Sequence, residues 1–464
     1  MVFSSMFFLW AFLPITLIGT RILPRKCSNI FLLICSLLFY AWGEPVYILL
    51  MLSSIVLNWG LGLLLEYSKY KKVVLSLAVI ANLAILGYFK YANMLISTLN
   101  RVIGTEVIAM QHIALPIGIS FFTFQAMSYI IDLYRGEYKV QKNVLHLALY
   151  ISFFPQLIAG PIVRYRDVNE QIEHREITLE KTTDGIRRFI YGLGKKVLIS
   201  NVLGAVVDSI YAVNLEELTA PLIWTAALLY TFQIYYDFSG YSDMAIGLGK
   251  MFGFEFAENF NYPYVSTSIR EFWNRWHISL SSWFKEYLYI PLGGNRKGTI
   301  KTYRNLGIVF FLTGLWHGAS FNFILWGLYH GFFSVMERVW IGDWLKKHKV
   351  CAHIYMFFVV NLGWVFFRIE GVRSGIKLVL KMLLPWTNPN TKYYVWEFLD
   401  LHAVFVLLCA ILGMGIVQGI AERKGILQKY RNSVLETVVL LLVLLLCIMT
   451  LATNTYNPFI YFRF

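Results

Sequence analysis

The chain has 464 residues, of which 58% are hydrophobic and only 15% charged, and its mean hydropathy is +0.58. An ordinary soluble domain is about 25% charged, so a soluble protein of this composition could not cover its own surface; disorder, collagen and coiled coil fall to the same numbers. The net charge of +14 fits cationic loops held at an anionic cytoplasmic leaflet and gives no reason to invoke nucleic acid.

The composition specifies an all-α polytopic membrane protein. A crossing helix needs about 20 apolar residues. In chain order the candidates are Phe3–Thr20, Ile30–Trp42, Val46–Leu65, Val73–Phe89, Leu115–Ile131, Val144–Val163, Ile186–Ile210, Leu222–Leu248, Leu306–Leu315, Phe323–Val339, Ile354–Phe367, Ala403–Ile420 and Val434–Leu451. About eleven to thirteen of these cross on this reading. The first has neither a basic leading region nor a cleavage site, so it reads as a retained span rather than a signal peptide.

Several candidates are short or broken. Ile30–Trp42 and Leu306–Leu315 fall below spanning length, Leu115–Ile131 opens on Pro116-Ile117-Gly118, and Val144–Val163 is cut by Pro155 and Gly160-Pro161. Broken helices persist at membrane depth only where protein or a water-filled cavity satisfies the freed backbone groups. Re-entrant or half-membrane pieces around an internal cavity are therefore expected. Charge agrees. The basic loops Arg21–Lys26, Lys69–Lys72 and Arg135–Lys142 fit the cytoplasmic side by simple alternation. Arg164–Arg188 with Lys195 and Lys196 is basic too, so one of the two preceding segments is expected not to cross.

The cysteines Cys27, Cys35, Cys351, Cys409 and Cys447 show no ligand spacing, and most lie in apolar runs, where Cys acts as a small hydrophobe. No metal site or disulfide framework is expected. No internal repeat or flexible linker appears, so residues 1–464 read as one domain.

Polar groups at depth carry the chemistry. Asp237 and Asp243 flank Ser239, Gly240 and Ser242 near the end of a span. They could serve a proton relay, an ion site or a salt bridge, although capping and interhelical hydrogen bonding are the simpler reading. Between Lys250 and Arg304 no clean span occurs, yet Trp273, Trp276, His277, Trp283 and Phe284 crowd together. At helical spacing over Arg270–Leu288, Trp273, Trp276, His277, Leu280, Phe284 and Leu288 share one stripe opposite Asn274, Arg275, Ser279, Ser282, Lys285 and Glu286. This predicts one amphipathic helix in the interface or dipping into the protein. His277 on its apolar stripe is either a hydrogen-bonded core residue or a site residue aimed into the bundle. The turn Tyr289–Gly298 follows, made basic by Arg296 and Lys297 with Lys301 and Arg304 beyond. It reads as a positive-inside anchor or as a contact for lipid headgroups or an anionic donor such as a CoA phosphate.

His317 follows a nearly complete apolar run. An ionisable residue at that depth is a functional-site hypothesis by default. Trp316, Gly318, Ala319 and Ser320 surround it in sequence, and the small residues allow close approach. Imidazole suits proton transfer, with an unperturbed pKa of about 6.5. His330 would lie about 20 Å further on and on the opposite face of a continuous helix. Only a break near Gly318 could bring the two together, so His330 reads as structural or interfacial. His112, His146, His174, His348, His353 and His402 lie in loops or near span ends. Neither a GxSxG elbow nor a Walker A motif occurs, which removes serine-triad chemistry and an ATP-driven pump of that type.

The stretch Arg270–Phe284, followed by YIPLGG at Tyr289–Gly294 and LTGLWHGASFNFILWGLYHG at Leu312–Gly331, resembles the membrane-bound O-acyltransferase (MBOAT) family. Tyr235–Gly247, Leu115–Gln125, Phe153–Arg164 and Asn457–Phe464 look like its bacterial branch of alginate O-acetylases and peptidoglycan O-acetyltransferases. The resemblance covers most of the chain, with both histidine motifs in a core of about 115–340. It implies a ring of membrane helices plus re-entrant and half-membrane helices around a central tunnel. His317 matches the family's active-site histidine and His277 its second histidine. Trp273, Asn274, Trp276, Trp316, Ser320, Asn322 and Asp237 are further candidates for the tunnel.

The resemblance also implies an acyl thioester co-substrate, acetyl-CoA or an acyl carrier protein, with no bound cofactor. It implies transfer across a bacterial cytoplasmic (inner) membrane and a separate extracytoplasmic SGNH-type transferase as partner, beside membrane lipid. D-alanyl transfer to teichoic acid is the alternative inside the family, and a transporter or flippase the alternative outside it.

Overall fold

The computed structural model describes residues 1–111, 113–387, 392–425, 429–453 and 455–460. His112 and the last residues of the terminal motif, 461–464, lie outside the described residues. Those described are helical, without strands. They divide into two compact units, Met1–Phe189 with Ser242–Ala257, and Ile190–Tyr241 with Glu258–Phe464.

The first unit carries α1 (Leu13–Ile22), α2 (Arg25–Gly43), α3 (Ile48–Tyr67), α4 (Lys71–Leu86), α5 (Ala92–Ile103), α6 (Ile119–Arg135), α7 (Val144–Ser152), α8 (Phe154–Leu157) and α9 (Tyr165–His174). Its core is aromatic: Phe12 and Phe39 pack on Phe154 with ring centroids 5.2 and 5.4 Å apart. Between α3 and α4 the buried amides of Asn58 and Asn82 bond each other at 2.8 and 3.1 Å, polar glue of the kind used between membrane helices.

The breaks expected from proline and glycine are present, and their backbone groups are met by side chains. The chain stops being helical at Phe153, and the N–H of Phe154 donates to Ser36 Oγ at 3.3 Å. Tyr150 donates to the Val163 carbonyl at 2.9 Å. Gly118 opens α6 at φ +75°, and a Cβ there would sit 2.8 Å from the Leu157 carbonyl oxygen, so only glycine fits.

α10 (Leu179–Gly194) leads through a π-helical turn, Lys195–Ser200, into α11 (Asn201–Tyr211), and α12 (Ala220–Met251) is 32 residues long. Within the second unit follow α13 (Ile269–Arg275), α14 (Ile278–Phe284), α15 (Thr299–His317), α16 (Phe321–Met336), α17 (Gly342–Lys347), α18 (Lys349–Arg368), α19 (Val372–Leu383), α20 (Leu401–Leu412), α21 (Ile416–Arg423) and α22 (Val434–Thr453). Trp276, Trp326 and Trp364 lie in its core with Phe272 and Tyr264.

Five stretches join spanning length to apolar composition among the described residues: Ile48–Tyr67, Lys71–Ile103, Leu179–Tyr211, Lys349–Arg368 and Val434–Thr453. Phe8–Ile22, Cys27–Gly43 and Leu401–Leu412 are shorter apolar helices. The runs Ile30–Trp42 and Leu306–Leu315 do not end where their apolar residues end. Polar first turns extend their helices to 19 residues each, α2 and α15, or roughly 28 Å at 1.5 Å per residue.

One expectation is corrected. Arg270–Leu288 is not a continuous amphipathic helix. It breaks between α13 and α14 at Trp276 and His277, where His277 is left-handed at φ +46°.

Candidate active site

The break at His277 is held from outside the motif. The N–H of Ile278 donates to the Asn259 carbonyl at 2.9 Å. Asn259 Oδ1 accepts from the backbone N–H of Ser279 at 3.2 Å and from Ser279 Oγ at 2.9 Å. A backbone N–H only donates, so the Asn259 atom it meets is the oxygen. That oxygen lies 3.1 Å from His277 Nδ1. In the neutral imidazole the proton therefore sits on Nδ1, and Nε2 carries the lone pair. Left-handed backbone is uncommon for a residue with a Cβ and persists where its surroundings over-determine it. Asn259 and His277 are both fully buried.

His317 is the last residue of α15, and Gly318 leaves the helix in extended conformation. α16 restarts at Phe321. Two close contacts fold these helices against each other: a Cβ on Gly314 would lie 2.3 Å from the Phe323 carbonyl oxygen, and one on Gly327 2.2 Å from that of Phe310. The small residues of the motif thus serve helix approach. The imidazole of His317 is surrounded edge-on by Trp316, Trp326 and Phe367, at centroid distances of 5.0, 5.0 and 5.2 Å, and only 3% of the residue is exposed.

Trp316 joins the two histidines. Its ring lies 5.9 Å from that of His277 and 5.0 Å from that of His317. Two motifs forty residues apart in sequence thus meet on one indole. Trp276 packs on Trp364 at 5.0 Å and Phe260 at 5.1 Å, a supporting position. Ser320 bonds Asn322, whose Nδ2 donates to the Phe366 carbonyl at 3.3 Å, so this pair ties the α15–α16 turn to α18. Asn274 is exposed and, with Trp273, lines a cavity of about 250 Å³ that neither histidine borders. Asp237 is engaged by Lys196 Nζ at 2.5 Å and accepts the N–H of Ile460 at 2.9 Å, a salt bridge and not an open carboxylate. Asp243 likewise pairs with Arg188 at 2.9 Å.

Of the two readings of His330, structural or interfacial, the interfacial one is removed, because the residue is fully buried. Trp326 stands 5.2 Å from its ring and 5.0 Å from that of His317, so the break at Gly318 brings both histidines to one indole. Sequence reading missed Asn259, Trp326 and Phe367. Trp326 alone had a signal, at nine residues beyond His317 in the same motif.

Comparison with known proteins identifies the family. The family model described as "MBOAT, membrane-bound O-acyltransferase family" matches residues 139–369, which include both histidines. The chain is 39% identical over its full length, and the relative's, to the Pseudomonas putida protein named "Probable alginate O-acetylase AlgI". It is 37% identical to the peptidoglycan O-acetyltransferase of Helicobacter pylori, over 82% of this chain and 80% of that protein. Against the teichoic acid D-alanyltransferase of Bacillus subtilis it is 31% identical over 50% of this chain and 61% of that protein. The chain belongs to the membrane-bound O-acyltransferase family and is a multi-pass membrane acyltransferase.

Proposed function

We propose that this enzyme transfers an acetyl group from a cytoplasmic acyl thioester, acetyl-CoA or an acyl carrier protein, across the bacterial inner membrane for O-acetylation of an extracytoplasmic polysaccharide. The observation that carries the proposal is the meeting of His277 and His317 on the ring of Trp316 within a buried aromatic core.

His317 acts as general base. It takes the proton of an acceptor hydroxyl as that oxygen attacks the thioester carbonyl. Collapse of the tetrahedral intermediate breaks the carbon–sulfur bond, and the imidazolium returns the proton to the departing thiolate. Proton transfer of this kind contributes about 10²–10⁴-fold. His277, with its proton held toward Asn259, offers Nε2 to position a reactant hydroxyl. With the ring of His317 so enclosed, substrate reaches it when one of the three aromatic side chains swings aside. An SGNH-type transferase outside the membrane completes the modification.

Acetyl is favoured over D-alanyl because the relatives named as acetylases match along most or all of the chain, and the D-alanyltransferase over half. The test uses protein reconstituted in vesicles with acetyl-labelled acetyl-CoA. Label covalently attached to an acceptor supports the proposal. Accumulation of intact solute without covalent transfer would indicate a transporter instead.

A further inference from the structure

The cavity beside Trp273 lies between the start of α13, the end of α14, the middle of α15 and the end of α16. Its wall divides by chemistry. Arg270, Lys285 and Arg338 line it, and none of the three side chains has an ion-pair partner among the described residues. The neighbouring carboxylates are engaged elsewhere. Glu337 accepts the backbone N–H of Ile269 at 2.6 Å and that of Arg270 at 3.4 Å, and Glu271 pairs with Arg275 at 3.1 Å. Apolar lining comes from Leu306, Val309 and Phe310 of α15 and from Phe284.

Two further observations point to a ligand. Trp273 Nε1 and Ser334 Oγ are buried at this cavity without a hydrogen-bond partner among the described residues, although their residues are only 9% and 8% exposed. Both are donors, and buried donors left unpaired are costly. Lys285 and Arg338 also stand in π-helical turns, Lys285–Tyr289 and Glu337–Ile341, which recur at functional sites.

The chain just after Lys285 and Arg338 points to the ligand's source. It carries apolar side chains open to the surroundings: Ile290 at 51%, Val339 at 62% and Trp340 at 79% exposed. Unpaired cations, an exposed Trp and exposed aliphatic residues together mark a membrane interface. We infer that this cavity is a binding site for an anionic phospholipid. The phosphate would sit among Arg270, Lys285 and Arg338, and its acyl chain would lie along α15. The lipid would bridge α13 and α14, which carry His277, to the end of α16. The inference stands apart from the acyl-transfer reading, and its test reads binding alone.

Full-length protein is purified in neutral detergent, delipidated, and offered phosphatidylglycerol or phosphatidylcholine, with bound lipid counted by native mass spectrometry. Wild type and a control carrying Lys69→Gln, Lys71→Gln and Lys72→Gln, three exposed cations that do not line the cavity, should retain phosphatidylglycerol over phosphatidylcholine. A variant carrying Arg270→Gln, Lys285→Gln and Arg338→Gln should bind it at least tenfold more weakly. Ser334→Leu, which fills the cavity and keeps every charge, should release it as well. Equal retention by either pocket variant, equal loss by the control, or no preference between the two lipids overturns the assignment. So does displacement of bound phosphatidylglycerol by coenzyme A, which would make the cavity a site for a soluble phosphoester.

Discussion

At the residue scale the account turns on which nitrogen of His277 holds its proton, and that is decided by Asn259. The asparagine stands eighteen positions upstream, in a stretch with no motif. Nothing in the residue pattern announces that its side chain receives the backbone N–H of Ser279 and faces the imidazole. His317 was legible because an imidazole inside an apolar run is expensive; Asn259 was not, because a polar loop residue costs nothing until the fold buries it. Asn259→Ala removes the acceptor of the part-buried Ser279 N–H, and should lower stability by about 1–3 kcal/mol. A melting curve in detergent checks this, and acetyl transfer should slow with it as the left-handed turn relaxes. Ser279→Ala keeps the backbone donor and removes only the hydroxyl, so it should lie near wild type in both measurements. The reverse order would show that the hydroxyl, and not the amide, holds the turn.

At the element scale the α15–α16 hairpin positions His317, and glycine makes the hairpin. The sequence reading took Gly318, Ala319 and Ser320 to let another backbone or a substrate approach the imidazole; the structure shows the close backbone approach, and places it at Gly314 and Gly327. Gly327→Val would drive a side chain into the Phe310 carbonyl, whose oxygen lies 2.2 Å from the Cβ position. Overpacking of this kind typically costs about 1–3 kcal/mol, and a lowered melting temperature should report it. Gly307→Ala on the partner helix α15 meets nothing within 4 Å and should leave stability unchanged or slightly raised. The break between α13 and α14 escaped prediction for a related reason. Period analysis averages over several turns, and a two-residue break, extended at Trp276 and left-handed at His277, leaves the apolar stripe of the sequence intact. The breaks at Pro155 and Gly118 were legible because proline and glycine restrict or free the backbone by their own chemistry.

At the scale of the whole chain, hydropathy was enough for the membrane class and the helical architecture, because lipid forces backbone groups to be satisfied within helices. It could not show how distant segments meet. Lys196, Asp237 and the backbone of Pro458 and Ile460 join within the second unit, across more than two hundred residues of sequence. Both charged side chains are almost fully buried, at 3% and 1% exposure. Lys196→Ala leaves the carboxylate uncompensated and should destabilise by about 3–5 kcal/mol, while Lys196→Met with Asp237→Leu should recover much of that loss. Chemical denaturation of the two variants distinguishes a pair needed for folding from one used in transport of charge. The central claim is that the His317 imidazole carries the proton in acyl transfer. Its most direct test is label transfer from acetyl-CoA in vesicles by His317→Ala, with membrane content and melting temperature matched to wild type. The account predicts a loss of about 10²-fold or more. Transfer within a few-fold of wild type would contradict it and leave only the family and the fold standing.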